Sequence, residues 1–224
     1  HYPSKFIGKN LAALSSNVKP VGRILEYCLF ILIPLIYLTN CEGSKTMELT
    51  DDARSLLIIQ DYSKKPAIEG VQIITLKRFN DEGGSLTELV RLTDGKPDAL
   101  PSFSVAQINY SELEAGAIKA FHIHEKQTDV WYVPPKDKIL LVLVDQRENS
   151  STTDVVMKLI LGDCKSQLIV IPPGVAHGCK NVSNGLARII YFVDRKFSAD
   201  PETSDEKRLP WDFSGREIWE TPKE

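Results

Sequence analysis

Histidine is scarce in this chain, with four among 224 residues, and methionine is scarcer still, with two. An excess of either charge is also missing: 27 Lys and Arg stand against 30 Asp and Glu, for a net charge of −3 and a pI near 5.9. That balance lacks the basic surplus a phosphate backbone demands, so nucleic acid is not an expected partner. The four cysteines, Cys28, Cys41, Cys164 and Cys179, contain no C-x-x-C and no paired spacing. Cys164 and Cys179 therefore read as reduced thiols, and a cytoplasmic setting is the expectation. No uncharged run is long enough to span a bilayer comfortably. The longest candidate, Tyr27 to Leu38 (YCLFILIPLIYL), has twelve residues and is interrupted by Pro34. A helical apolar period of useful length is absent from Gly70 onward, which points away from a helical fold there.

What is present suits a soluble globular protein: 42% hydrophobic and 25% charged residues. The length fits one domain with an appendage. Residues 1–46 look foreign to the rest. Arg23 before the apolar run and Leu38-Thr39-Asn40-Cys41 after it resemble a lipoprotein signal, which leaves a membrane or export role open. Met47-Glu48-Leu49-Thr50-Asp51-Asp52 reads as the start of a soluble chain. The expected organisation is a leader or signal-like segment over 1–46 and one folded domain over 47–224.

From Gly70 the chain becomes a series of short strands between turns. Val71–Leu76 is rich in β-branched residues and bounded by Gly70 and by Asn80-Asp81-Glu82-Gly83-Gly84. Further strands are expected over Leu86–Leu92, Phe103–Ser111, Ala117–His124, Asp129–Val133, Ile139–Val144, Asp154–Leu161, Gln167–Ile171 and Leu186–Val193, with a polar loop over Thr93–Ser102. Ile139–Val144 (ILLVLV) is continuously apolar, the mark of a strand covered on both faces. Along Phe103–Ser111 alternation separates Ile108 and Tyr110 from Gln107 and Asn109. Turn signals at this spacing imply an all-β fold, a sandwich or jelly roll. The closing stretch, Phe197–Glu224, is expected to be irregular with a short helix or two, packed by Trp211 and Trp219.

Three of the four histidines fall in two of these stretches. Ala117-Ile118-Lys119-Ala120-Phe121-His122-Ile123-His124 carries two, spaced to share a strand face. Ile171-Pro172-Pro173-Gly174-Val175-Ala176-His177-Gly178 carries the third after a turn. Such a constellation supports either of two chemistries. In the first, His122, His124, Asp129 and His177 hold a divalent ion such as Mn, Fe, Ni or Zn, since neutral imidazole with carboxylate suits all of these. In the second, a neutral histidine removes a proton from a carbon next to a carbonyl, and Tyr191 on a facing strand returns one from the other side.

The spacing Gly116, five residues, His122-x-His124, four residues, Asp129 resembles the first motif of the cupin superfamily, with Asp129 where Glu is usual. Pro172-x-Gly174-x-x-His177-x-x-x-Asn181 resembles the second, with Ser166 in place of a glycine. A longer series is more specific. Asp81-x-x-Gly84-Ser85-Leu86-x-Glu88, Gln107-x-Asn109-x-Ser111, Gly116-x-Ile118-Lys119-Ala120-Phe121-His122, Val144-Asp145-x-Arg147-x-x-Ser150, Ile171-Pro172-x-Gly174-x-Ala176-His177-Gly178 and Tyr191 resemble, in order and spacing, the dTDP-4-dehydrorhamnose 3,5-epimerase family, with Trp219 a weaker seventh match. The resemblance covers about residues 70 to 220. It implies a cupin-type jelly-roll barrel (a double-stranded β-helix) and a homodimer without metal or other cofactor. It also implies an isomerase acting beside the C4 keto group of a nucleotide-linked sugar. By the same resemblance His122 is the general base and Tyr191 the acid. His177 lies near the sugar, Glu88, Gln107 and Asn109 are substrate-contacting positions, and Lys119 replaces a diphosphate-binding arginine. Departures from the family pattern are Gly83 for an arginine, Asp129 for a lysine that helps hold the enolate oxygen, and Phe197 for a tyrosine. The aspartate that partners the family's catalytic histidine has no counterpart in the aligned motifs. A catalytically silent sugar-binding relative is the third expectation.

Overall fold

A computed structural model describes residues 47–59 and 65–220. The chain divides into two compact units, 1–59 and 60–224. The expected leader, 1–46 with its apolar run, lies outside the described residues. In the first unit these hold one short helix, α1 (Asp51–Ser55). Thr50 opens it by accepting the Ala53 N–H on Oγ1 at 3.2 Å, and Asp51 and Asp52 place negative charge at the unsatisfied N–H end. No described helix is long and apolar enough to cross a membrane.

The second unit is all-β. Its strands are β1 (Gln72–Thr75), β2 (Arg78–Asp81), β3 (Gly84–Thr87), β4 (Leu92–Thr93), β5 (Lys96–Pro97), β6 (Gln107–Leu113), β7 (Ile118–Ile123), β8 (Asp129–Tyr132), β9 (Lys138–Asp145), β10 (Val156–Gly162), β11 (Gln167–Ile171), β12 (Val175–Asn181), β13 (Ala187–Val193) and β14 (Lys207–Arg208). They form two antiparallel five-stranded sheets, ordered β1-β11-β8-β13-β6 and β10-β9-β12-β7-β14, with β2–β3 and β4–β5 as separate hairpins. Among the described residues the sheets share no strand, so the jelly roll is a pair of facing sheets.

The period-two pattern explains how they face. Ile139, Leu141 and Leu143 of β9 pack between the sheets against Trp131, Ile169, Ile171 and Ile189. Leu140, Val142 and Val144 of the same strand turn outward and are covered by Phe213, Ile218 and Trp219 of the C-terminal stretch. Full burial of each such side chain contributes about 1.5–3 kcal/mol, which makes β9 the most committed strand of the fold. The outer face of the first sheet is covered differently, by Leu100 and Phe103 on Val130, Tyr132, Leu168 and Phe192.

Several boundaries differ from those expected. The Asn80–Gly84 cluster is the turn of the β2–β3 hairpin, tightened by the Asp81 carboxylate accepting the Gly83 N–H at 2.9 Å. The expected strand over Leu86–Leu92 therefore begins earlier and stops at Thr87. The polar loop contains the minimal β4–β5 hairpin, turned by Asp94 and Gly95 at positive φ. Phe103 lies in a loop rather than a strand, with its side chain buried, and β6 starts at Gln107. Two residues of the expected irregular tail, Lys207 and Arg208, pair with Ile123 and His122. Arg216–Trp219 is a short 3-10 turn that buries Trp219, whereas Trp211 stays partly exposed.

The motif Val144-Asp145-x-Arg147-x-x-Ser150 proves to be a corner that holds the end of β9. Buried Asp145 accepts from Arg147 Nε at 2.8 Å, Ser150 Oγ at 2.6 Å and Thr152 Oγ1 at 2.6 Å. The Arg147 guanidinium, helped by these hydroxyls, holds the Asp145 carboxyl well below the usual carboxylate range. Asp145→Ala leaves Arg147, Ser150 and Thr152 without their acceptor. It is expected to cost about 3–5 kcal/mol of stability, read from the urea unfolding midpoint. A midpoint equal to that of the parent chain would refute the assignment.

Candidate active site

The two histidine stretches become neighbours because β7 and β12 pair, with His122 opposite His177. Strict alternation from Lys119 would turn His122 away from the interior. A β-bulge between the pairs His177–His122 and Cys179–Lys119 adds one residue to β7, so Lys119 and His122 both face inward while Phe121 packs outside. Gly178 makes the close approach possible, since a side-chain carbon there would collide with Ala120 and press on the Trp219 ring. His122 and His177 stack with ring centroids 5.8 Å apart, and His124 and His177 are 5.3 Å apart. The three histidines expected to cluster therefore share one pocket.

The pocket has a volume of about 600 Å³ and opens between the sheets. The second sheet contributes Lys119, His122, His177 and Cys179, and the first contributes Gln107, Asn109, Ser111, Asp129, Trp131 and Tyr191. Gln107 donates to Asn109 Oδ1 at 2.7 Å and accepts the Phe197 N–H at 3.0 Å. Lys119 Nζ donates to Ser111 Oγ at 3.0 Å and to the Glu112 carbonyl at 2.8 Å, leaving its charge at the rim. Burial pushes the Cys179 thiol up to about 12, so it is no nucleophile at neutral pH.

Glu88 is not brought in. It faces a separate cavity on the outer side of the first sheet and pairs with Arg91 at 2.9 Å. The reason is local: Leu89 and Val90, which follow β3, pack onto that outer face and carry Glu88 with them.

A partner of His122 that no sequence motif marks is Glu206. Its Oε1 lies 2.5 Å from His122 Nδ1. A carboxylate accepts, so Nδ1 carries the hydrogen and a neutral His122 keeps its lone pair on Nε2. The hydrogen bond to His122, ahead of the opposing effect of burial, keeps the Glu206 carboxyl below its usual range. Next to it, Asp205 fixes the loop after β7 by accepting the N–H groups of Glu125, Lys126 and Gln127 at 3.0, 2.9 and 2.8 Å. Its carbonyl accepts His124 Nδ1 at 2.8 Å.

Asp129 sits deeper, buried with His124 and His177. Its Oδ2 accepts from Trp131 Nε1 at 3.0 Å and lies 3.5 Å from His177 Nε2. Its Oδ1 accepts from the Gln127 amide at 2.8 Å and lies 3.7 Å from His124 Nε2. Burial opposes the charge on both Asp129 and His177, yet each stabilises the other: the Asp129 carboxyl is held well below the usual range and the His177 imidazole is raised. Tyr191, half-buried on β13, is raised first by burial and then by the charges of Asp129 and Glu206, which keeps its hydroxyl protonated.

The four-ligand set expected for a metal needs a correction. His124, Asp129 and His177 have candidate ligand atoms within 4.8 Å of one another, but His122 is not among them. Its Nδ1 is committed instead to Glu206, the residue just before β14.

Comparison with known proteins gives a consistent picture. Residues 65–212 match the family model described as dTDP-4-dehydrorhamnose 3,5-epimerase. The chain is 38% identical over 145 residues to the spore coat polysaccharide biosynthesis protein SpsL of Bacillus subtilis (strain 168), covering 65% of this chain and 91% of that protein. It superposes on the dTDP sugar isomerase of Desulfovibrio desulfuricans G20 with a TM-score of 0.57 at 29% identity, over 66% of this chain and 88% of that one. It also superposes on a dTDP-4-dehydrorhamnose 3,5-epimerase of Bacillus anthracis str. Ames with TDP and PPi bound, with a TM-score of 0.55 at 25% identity, over 66% and 84%.

Proposed function

The chain belongs to the dTDP-4-dehydrorhamnose 3,5-epimerase family, and from that premise we propose that it inverts a carbon beside the keto group of a dTDP-linked 4-keto sugar. The observation that carries the proposal is the His122–Glu206 hydrogen bond, which leaves His122 Nε2 as a lone pair inside the pocket. Nε2 takes the C–H proton, and the bonding electrons move to the keto oxygen as an enolate. Tyr191, from the opposite sheet, gives its hydroxyl proton to the other face of that carbon and the ketone re-forms. The imidazolium and the tyrosinate then re-equilibrate with water. Lys119 is proposed for the diphosphate, where it offers charge without the two-pronged grip of an arginine. Gln107, Asn109 and His177 are proposed as sugar- and base-contacting groups. The solved relative holding TDP and PPi makes a thymidine diphosphate the natural handle. Incubation of the full chain with a dTDP-linked 4-keto sugar in deuterium oxide is expected to place deuterium at a carbon flanking the carbonyl. Tight binding of that sugar with no exchange would favour the silent sugar-binding relative.

We also propose a two-fold homodimer. β1 pairs with β11 and ends the sheet with one open edge. At the other end, Ile108 and Tyr110 of β6 are each 59% exposed on the outer face. Glu88, excluded from its own pocket, stays a proposed substrate contact only as the contribution of a second copy. Light scattering at micromolar concentration is expected to read twice the 25.1 kDa chain mass. A monomer there would remove both proposals.

A further inference from the structure

We propose that Arg208 of β14 is a catalytic residue that holds the keto oxygen of the sugar while negative charge develops on it. The inference rests on the proton transfer proposed above and supplies a group that the transfer needs. The enolate oxygen forms in a pocket whose wall already carries three carboxylates, Asp129, Asp205 and Glu206. Asp129 is answered by His177, and Glu206 by the Nδ1–H of His122. A further negative charge beside them calls for a donor of its own, in place before the reaction begins.

Three cations line the pocket among the described residues: Lys119, Lys196 and Arg208. Lys119 is tied to the rim by Ser111 and Glu112. Lys196 stands exposed on the loop after β13. Arg208 sits directly across the ladder from His122. Opposite residues of an antiparallel pair turn their side chains to the same face, with β-carbons about 4.5–5.5 Å apart. The arginine therefore rises beside the imidazole that takes the proton. Glu206, two residues earlier, shares that face, whereas Lys207 turns away and pairs with Glu125. The guanidinium has one partner among the described residues, Glu206 Oε1 at 3.5 Å. That is beyond the usual N–H···O range of about 2.7–3.2 Å, so its five donors are largely unspent. The charge of Arg208 also reaches the acid. The Tyr191 hydroxyl, raised first by burial and then by Asp129 and Glu206, is pulled back by Arg208.

Arginine suits this task chemically. The keto oxygen is attached to the carbon next to the one that loses its proton, so it stays close to the base. A guanidinium donates hydrogen bonds without giving up a proton at any working pH. The oxygen therefore keeps its charge, and the neighbouring carbon remains the atom that Tyr191 protonates.

The test uses the full chain with a dTDP-linked 4-keto sugar in deuterium oxide. Arg208→Met keeps the length of the side chain and removes every donor. It is expected to lower the exchange rate at saturating sugar by about 10²–10³-fold, as loss of one oxyanion donor does. KM and the affinity for thymidine diphosphate are expected to stay within about twofold of the parent values, because the contact strengthens only as charge develops. Arg208→Lys keeps the charge and is expected to recover part of the loss. The plateau of the pH–rate profile is expected to fall with its midpoint in place. Without substrate, the ultraviolet titration of Tyr191, read as the difference from Tyr191→Phe, is expected to move upward in Arg208→Met. The Arg208 side chain is 61% exposed, so these variants are expected to fold. If Arg208→Met does not, Arg208→Gln decides in its place. An unchanged exchange rate would overturn the assignment, as would an unmoved Tyr191 titration. A parallel loss of nucleotide affinity would make Arg208 a diphosphate contact instead. A shifted midpoint with an unchanged plateau would mean that it acts only through Glu206, and either result overturns the role. No exchange by the parent chain would overturn the proposed function and this role together. Parent exchange that survives in Arg208→Met would overturn the role alone.

Discussion

Glu206→Gln is expected to slow solvent exchange at the sugar carbon by up to about four orders of magnitude, the scale seen when a carboxylate that fixes a catalytic histidine's tautomer is made neutral. The cause is a single hydrogen. In the parent chain the Glu206 carboxylate accepts from His122 Nδ1 at 2.5 Å, so the lone pair is on Nε2, facing the pocket. A glutamine has the same shape but can present its NH₂ to Nδ1. The ring then carries its hydrogen on Nε2 and has no lone pair with which to take a proton. Glu206→Asp keeps an acceptor, one methylene shorter, and is expected to recover part of the loss. Binding of thymidine diphosphate is expected to change little, since Glu206 contacts the histidine rather than the rim lysine. Isothermal titration with the nucleotide and deuterium exchange with the keto sugar separate the two quantities. Equal exchange rates in Glu206→Gln and the parent chain would show that His122 is not oriented by this pair. The carboxylate also lies 3.8 Å from His124 Nε2.

Why Glu206 was invisible in the sequence is instructive. Asp205-Glu206-Lys207 lies in a charged stretch with no apolar period, and its partner is 84 residues away. No local pattern encodes such a contact; it exists because the β14 pair Lys207–Arg208 docks on β7 and delivers the preceding carboxylates to the histidines. Asp205 is the same kind of residue, acting through the backbone it clamps. The histidines themselves were legible because two lay on one strand and the third followed a turn signal, so strand pairing alone could bring them together. β9 was legible for the most elementary reason. Its unbroken apolar run fits only a strand covered on both faces, and both faces are covered. The bulge in β7 was not legible. Period-two counting puts His122 and His124 on one face correctly but would place Lys119 on the other, whereas the inserted residue turns Lys119 and His122 to the same pocket. Glu88 shows the converse limit. Its motif matches the family in sequence, yet which side of a sheet a hairpin covers depends on the packing of Leu89 and Val90, which the motif does not contain.

Removing the base and removing the acid are expected to give different failures. His122→Ala takes away the group that accepts the C–H proton, and exchange of solvent deuterium into the sugar is expected to fall by about 10²–10⁴-fold, the usual contribution of a positioned acid or base. Tyr191→Phe removes only the hydroxyl on the opposite sheet. Proton abstraction by His122 Nε2 remains, so deuterium still enters the flanking carbon, but it returns from the face it left and configuration is retained. The expected result is exchange without inversion, seen as a labelled substrate with little epimer in the proton spectrum. Tyr191 is suited to this role because burial, with Asp129 and Glu206 nearby, raises its hydroxyl and holds the proton until a carbanion is there to take it. The aromatic ring of Tyr191 packs 6.0 Å from that of Trp131, centroid to centroid, and phenylalanine preserves this contact, so the change is chemical rather than structural. If Tyr191→Phe lost exchange and inversion together, in the same proportion, the two faces of the carbon would not be served by separate groups. The tyrosine would then belong to binding rather than to proton return.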